Sequence, residues 1–140
     1  MATLYVALFA SGSAALIYQT TWGRMLQRVF GVSDLAVATV LATFFLGLGL
    51  GSAAGGRFAK AKRSSPARTY ALLEVAVGVW ALASLWFMPR IHDAYSFLGP
   101  DAGFGTLTTL RFLLAVLVLL PPTFFMGATL PVLIAAVSRA

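Results

Sequence analysis

Glu74 is a carboxylate set in a run from Thr69 to Met88 that is otherwise free of charge. Such a group must be paired, protonated or hydrated, which makes it a candidate for proton or cation coupling. The alternative is a shallow position from which it reaches interfacial water or pairs with Arg57 or Arg68. Helical spacing puts Glu74 on one stripe with Gly78, Ala81 and Leu85, a face suited to neighbouring helices rather than lipid. Gln19, Trp22 and Arg24 form a second polar group, in which Arg24 suits either an anionic headgroup or simple interfacial anchoring. His92 stands beside Asp93 without a second His or any Cys, so no metal site is expected. With no cysteine there is neither a disulfide framework nor a thiol nucleophile. These residues do not add up to soluble enzyme chemistry, and no catalytic residue or cofactor is expected.

Gly49-Leu50-Gly51-Ser52-Ala53-Ala54 matches the permissive dinucleotide fingerprint G-x-G-x-x-A. That fingerprint needs a preceding strand and a solvent-facing helix start, whereas these glycines lie inside an apolar stretch. The more informative pattern is the four-residue spacing of Thr39, Thr43, Gly47, Gly51 and Gly55, which lays a seam of small residues along one helix face. In lipid such seams matter because they permit dense van der Waals contact between helices. Ala7, Ser11 and Ala15 offer a partner seam on the first apolar stretch. The seam is either a packing surface or a sliding surface of the kind used by transporters.

The elements that position these residues are set by hydropathy. The chain is 60% hydrophobic and only 10% charged, too apolar for an ordinary soluble domain. Long uncharged stretches between the charges read as membrane spans. The expected fold is therefore all-α: a multi-pass transmembrane bundle in a single domain, with about four spans near residues 3–21, 35–56, 69–88 and 112–138. An amphipathic interfacial helix is expected over 22–30, where Trp22, Met25, Leu26, Val29 and Phe30 recur at helical spacing opposite Arg24, Gln27 and Arg28. Met1-Ala2-Thr3 lacks the basic start of a signal peptide, so the first span is expected to be retained. Gly31 is placed to end a helix, and Ser33 or Asp34 to cap the next. Pro89 is expected to close the third span, while Pro121-Pro122 and Pro131 are expected to bend the fourth. The segment Thr123 to Pro131 reads either as a bent structural helix or as a broken helix lining a ligand site.

The loop 57–68 holds Arg57, Lys60, Lys62, Arg63 and Arg68, the densest basic run, and should be cytoplasmic. Both termini then lie in the cytoplasm, in an inner membrane of bacterial type. The segment 89–111, with Asp93 and Asp101, lies outside, as do Arg24 and Arg28, against the usual charge bias. Tyr5 and Tyr70 are expected at the inner interface, and Trp22, Trp86 and Tyr95 at the outer one. Arg111 and Arg139 mark the ends of the fourth span. The formal net charge of +6 is explained by topology, and nucleic acid is not an expected partner.

Four segments carry a family resemblance: Ser11-Gly-Ser-Ala-Ala-Leu-Ile-Tyr-Gln-Thr-Thr-Trp-Gly-Arg24; Phe45-Leu-Gly-Leu-Gly-Leu-Gly-Ser52 with Gly56-Arg57; Tyr70-Ala-Leu-Leu-Glu74; and Pro122-Thr-Phe-Phe-Met-Gly-Ala-Thr-Leu-Pro131. In order and spacing the chain resembles the amino-terminal membrane region of the multispan spermidine synthase family. There, a helical part resembling the major facilitator transporters precedes an aminopropyltransferase domain. The resemblance implies a link to aminopropyl transfer from decarboxylated S-adenosylmethionine to putrescine. This chain shows neither the strand and glycine-rich nucleotide turn nor the acidic diamine cluster of that domain, and position 19 is Gln where the family is expected to show Glu. The expected role is thus a non-catalytic membrane module that anchors or couples polyamine synthesis, its partners being the bilayer and a protein partner or further carboxy-terminal domain. The alternatives are an accessory subunit packed on a larger membrane complex through an exposed glycine seam, and part of a polyamine or cation transporter that uses Glu74.

Overall fold

A computed structural model describes residues 2–30, 34–60, 65–98 and 103–138. It is all-helical, with α1 (Ala2–Phe30), α2 (Asp34–Lys60), α3 (Pro66–Leu98) and α4 (Phe104–Ser138) packed as a bundle. Gly31, Ser33, Lys62, Arg63, Asp101 and Arg139 lie outside the described residues, as does the Tyr95 side chain.

Among the described residues, α2, α4 and the part of α3 up to Asp93 are long and apolar enough to cross a membrane. The 27 residues of α2 reach about 40 Å at about 1.5 Å per residue, more than a hydrocarbon core of about 30 Å. Many large apolar side chains face outward, among them Phe9 at 78% exposure and Leu82 at 71%. In water such a surface would aggregate, whereas in lipid it is the solvated one. This is a membrane protein. α1, at 29 residues, is the fourth helix of the bundle.

The helices run longer than the apolar stretches suggested. The expected interfacial helix at 22–30 is the continuation of α1, and its apolar face is interior. Trp22, Leu26 and Phe30 are 1%, 0% and 2% exposed, in a core shared with Val40, Met88, Ala115 and Val118. Amphipathic spacing cannot distinguish a lipid interface from a protein core, and here the neighbouring helices cover the stripe. Trp22 is for the same reason not an outer-interface anchor. Pro89 lies inside α3 instead of ending it. The expected outer loop 89–111 is therefore mostly helix, with Arg90, His92 and Asp93 on α3 and Arg111 about two turns inside α4. Arg57 and Lys60 form the last turn of α2, where cations complement the carbonyl end of the helix, and Asp34 occupies its first turn.

The helix starts have local causes. Pro66 opens α3 at the position where its missing N–H is harmless. Just before it, the Ser65 carbonyl accepts the Thr69 N–H at 3.1 Å and the Thr69 hydroxyl at 3.2 Å. Gly103 likewise accepts the Leu107 N–H at 3.1 Å ahead of α4. α4 is apolar all round and lies deepest, with Ala115, Leu119, Thr123, Ala128 and Val132 buried, and both α2 and α3 pack on it.

Candidate functional site in the helix bundle

Glu74 lies eight residues into α3, about two turns from its start, and its side chain is half-buried. The Ser11 hydroxyl of α1 donates a hydrogen bond of 2.6 Å to Glu74 Oε1. The Tyr70 phenol, one turn before Glu74 on the same face, adjoins both Glu74 and Ser11. The expected arginine partners are not the ones found: a serine and a tyrosine surround the carboxylate, while Arg57 and Arg68 stand exposed at the facing ends of α2 and α3. A crevice of about 220 Å³ opens beside the cluster, lined by Ser11, Gly12, Tyr70, Met126 and Thr129 among apolar neighbours. Two hydroxyl groups and a carboxylate at the edge of an apolar crevice can hold a proton or an ammonium group, since the carboxylate and hydroxyl oxygens have more acceptor sites than the Ser11 and Tyr70 hydroxyls can fill.

The frame around this site is built from tertiary contacts that answer local backbone needs. Pro122 has no N–H to give to the Val118 carbonyl, one turn earlier on α4. The Trp80 indole N–H of α3 donates to that carbonyl at 3.0 Å. Thr123 Oγ1 donates to the Leu119 carbonyl at 2.7 Å and lies 3.2 Å from that of Leu120. α4 therefore stays helical through both prolines instead of breaking. Trp22 Nε1 donates to Ser84 Oγ at 3.0 Å, and Ser84 donates on to the Ala81 carbonyl at 2.6 Å. The Tyr18 ring stacks on Trp22 with centroids 5.2 Å apart. Trp86 faces outward, and the Arg90 guanidinium sits 3.6 Å over its ring while bonding to the Trp86 carbonyl.

The small-residue seam is an interface, but with α4 rather than with Ala7, Ser11 and Ala15 of α1. Thr43, Gly47, Gly51 and Gly55 are buried, and Thr39 at the seam's start is half-buried. A Cβ on Gly47 would meet the Thr123 side chain, and one on Gly51 the Phe124 carbonyl. At Gly55 a Cβ would lie 2.7 Å from the Ala128 carbonyl oxygen. Gly127 answers from the opposite helix, where a Cβ would meet the Leu48 carbonyl. The hydroxyl of Thr43 turns back to the Thr39 carbonyl at 2.8 Å, leaving its methyl for packing. Four-residue spacing on one helix identifies the face but cannot name its partner, and α4 supplies the matching Thr123, Gly127 and Ala128.

Gln19 and Arg24 do not join Glu74. They line a separate groove between α1 and α2, with Arg24 exposed and Gln19 half-buried. Ser11 as a carboxylate partner and Tyr70 as a member of the cluster were not evident from the sequence. The i, i+4 spacing of Tyr70 and Glu74 was the one available signal, and no spacing could tie either to Ser11, which is 63 positions from Glu74. Comparison with protein-family models, curated proteins and solved structures returns no match. The functional reading therefore rests on the residues themselves.

Proposed function

We propose that this chain is the membrane module of a spermidine synthase-like protein, non-catalytic by itself, which anchors or couples polyamine synthesis at the bilayer. The observation that carries this reading is the convergence of the four resembling segments. Ser11 of the first bonds Glu74 of the third, and Gly47 and Gly51 of the second pack on Thr123 and Phe124 of the fourth. Segments that are unspecific phrases one by one thus act as one packed unit. Reading the gene past codon 140 is the test. Continuation into an aminopropyltransferase domain, or an adjacent synthase gene whose product co-purifies with this chain, is the expected result. A stop codon with no synthase nearby would refute it.

A second reading, part of a polyamine or cation transporter, is favoured by the carboxylate between two hydroxyl groups beside an apolar crevice. In proteoliposomes, Glu74→Gln should then abolish spermidine uptake while leaving the bundle folded; unchanged uptake would remove Glu74 from any coupling role. The accessory-subunit reading keeps as its motive the small number of spans, while the glycine seam that was its other motive is covered by α4. The basic ends of α2 and α3 support a cytoplasmic position for the segment between them.

A further inference from the structure

We infer that the groove between α1 and α2 binds a glycerophospholipid with an anionic headgroup, its phosphate held at Arg24 and an acyl chain lying along α2. The groove encloses about 370 Å³ and its two walls differ in chemistry. On α1, Gln19, Gly23 and Gln27 stand four apart and Thr20 and Arg24 beside them, so one helix face presents two amides, a hydroxyl and a guanidinium. On α2 the facing residues Val37, Val40, Leu41 and Phe44 are apolar at helical spacing. The helices approach at Gly23, where a Cβ would sit 4.0 Å from Val40 Cγ1, and this contact forms the floor.

A polar helix face opposite an apolar one leaves donors without acceptors. Thr20 bonds back to the carbonyls of Leu16 and Ile17. Among the described residues no such bond is seen for Gln19, Arg24 or Gln27, and Asp34, in the first turn of α2, does not line the groove. In a bilayer, unbonded amides and a guanidinium are costly, and the available partner that carries both acceptor oxygens and an apolar tail is a phospholipid. The geometry suits one: Arg24 and Gln27 lie toward the end of α1, and Phe44 lies about three turns into α2. Arg24 is exposed and Leu41 is 40% exposed, so the groove is open for a lipid to enter sideways from the membrane. Binding here is independent of any role in polyamine synthesis.

The test is native mass spectrometry of the full chain from a neutral detergent, with phosphatidylglycerol and phosphatidylcholine added in turn. The chain should retain phosphatidylglycerol in preference to phosphatidylcholine. Arg24→Gln should lower retention about five-fold, the worth of one basic residue beside an anionic headgroup, with Arg24→Lys restoring most of it. Leu41→Trp, which fills the apolar wall without touching a charge, should lower retention of phosphatidylglycerol as well, with an unchanged melting transition as the check on folding. Arg90→Gln, on α3 and outside the groove lining, should change nothing. Equal retention of the two lipids, or full retention by Arg24→Gln, would overturn the proposal in favour of unspecific annular lipid. Displacement of phosphatidylglycerol by inorganic phosphate would overturn it in favour of a simple anion site.

Discussion

Gly49 and Gly51 lie two residues apart on α2, and Gly51 faces α4 while Gly49 faces away with nothing within 4 Å of an added Cβ. Substituting each by Ala gains the same helix propensity, about 1 kcal/mol, which cancels when the two variants are compared. What remains is the contact. A Cβ on Gly51 falls on the Phe124 carbonyl, with its carbon at 2.7 Å and Phe124 Cα at 2.9 Å. Ordinary carbon–carbon contact is about 3.5–4.0 Å, so α2 and α4 must part by about 1 Å. The obstacle is backbone, and no rotamer change relieves it. Overpacking of this kind costs about 1–3 kcal/mol, and Gly51→Ala should be less stable than Gly49→Ala by that amount. Unfolding in mild detergent titrated with SDS measures it, read by tryptophan fluorescence because Trp22 is 1% exposed and Trp80 bonds to α4. Gly127→Ala meets the Leu48 backbone from the other side, so combining it with Gly51→Ala should cost less than the sum of the two, the helices being already apart. Equal midpoints for Gly51→Ala and Gly49→Ala would refute the close α2–α4 approach.

Trp80→Phe should destabilise the bundle by about 0.5–1 kcal/mol through loss of the donor to the Val118 carbonyl. In a Pro122→Ala background, where a backbone N–H returns to that carbonyl, the same substitution should cost less; an unchanged cost would show the bond to be unimportant. Ser11→Ala removes the hydroxyl that donates to Glu74 and should cost about 1 kcal/mol. Glu74→Gln, which keeps an acceptor oxygen, should reduce the cost of Ser11→Ala, and additive losses in this double-mutant cycle would argue against the pairing. The native chain has no cysteine, so single replacements report topology cleanly. A membrane-impermeant maleimide added to intact cells should label Phe97→Cys, exposed near the end of α3, and spare Ser65→Cys ahead of α3. The reverse pattern would invert the proposed orientation.

The helical class, the apolar cores of α2, α3 and α4, and the face of α2 that packs were legible in the sequence. Each is a local property, set by hydropathy over about 20 residues or by a four-residue period. Helix ends were less so. Pro89 and the residues beyond it stay helical in α3, and 22–30 continues α1, because packing outweighs the local signals that would end a helix.

Partners were the part that local patterns could not reach. The small-residue seam of α2 was visible at Gly47, Gly51 and Gly55, yet which helix fills it depends on a matching run far along the chain, and α4 rather than α1 supplies it. Glu74 was visible as a buried-type carboxylate, but its neighbour Ser11 is 63 positions away and looked like one more small residue. Sequence fixes which groups need a partner, since a peptide carbonyl or a carboxylate taken out of water without one is costly. Only the three-dimensional arrangement of the helices decides which side chain arrives to meet that need.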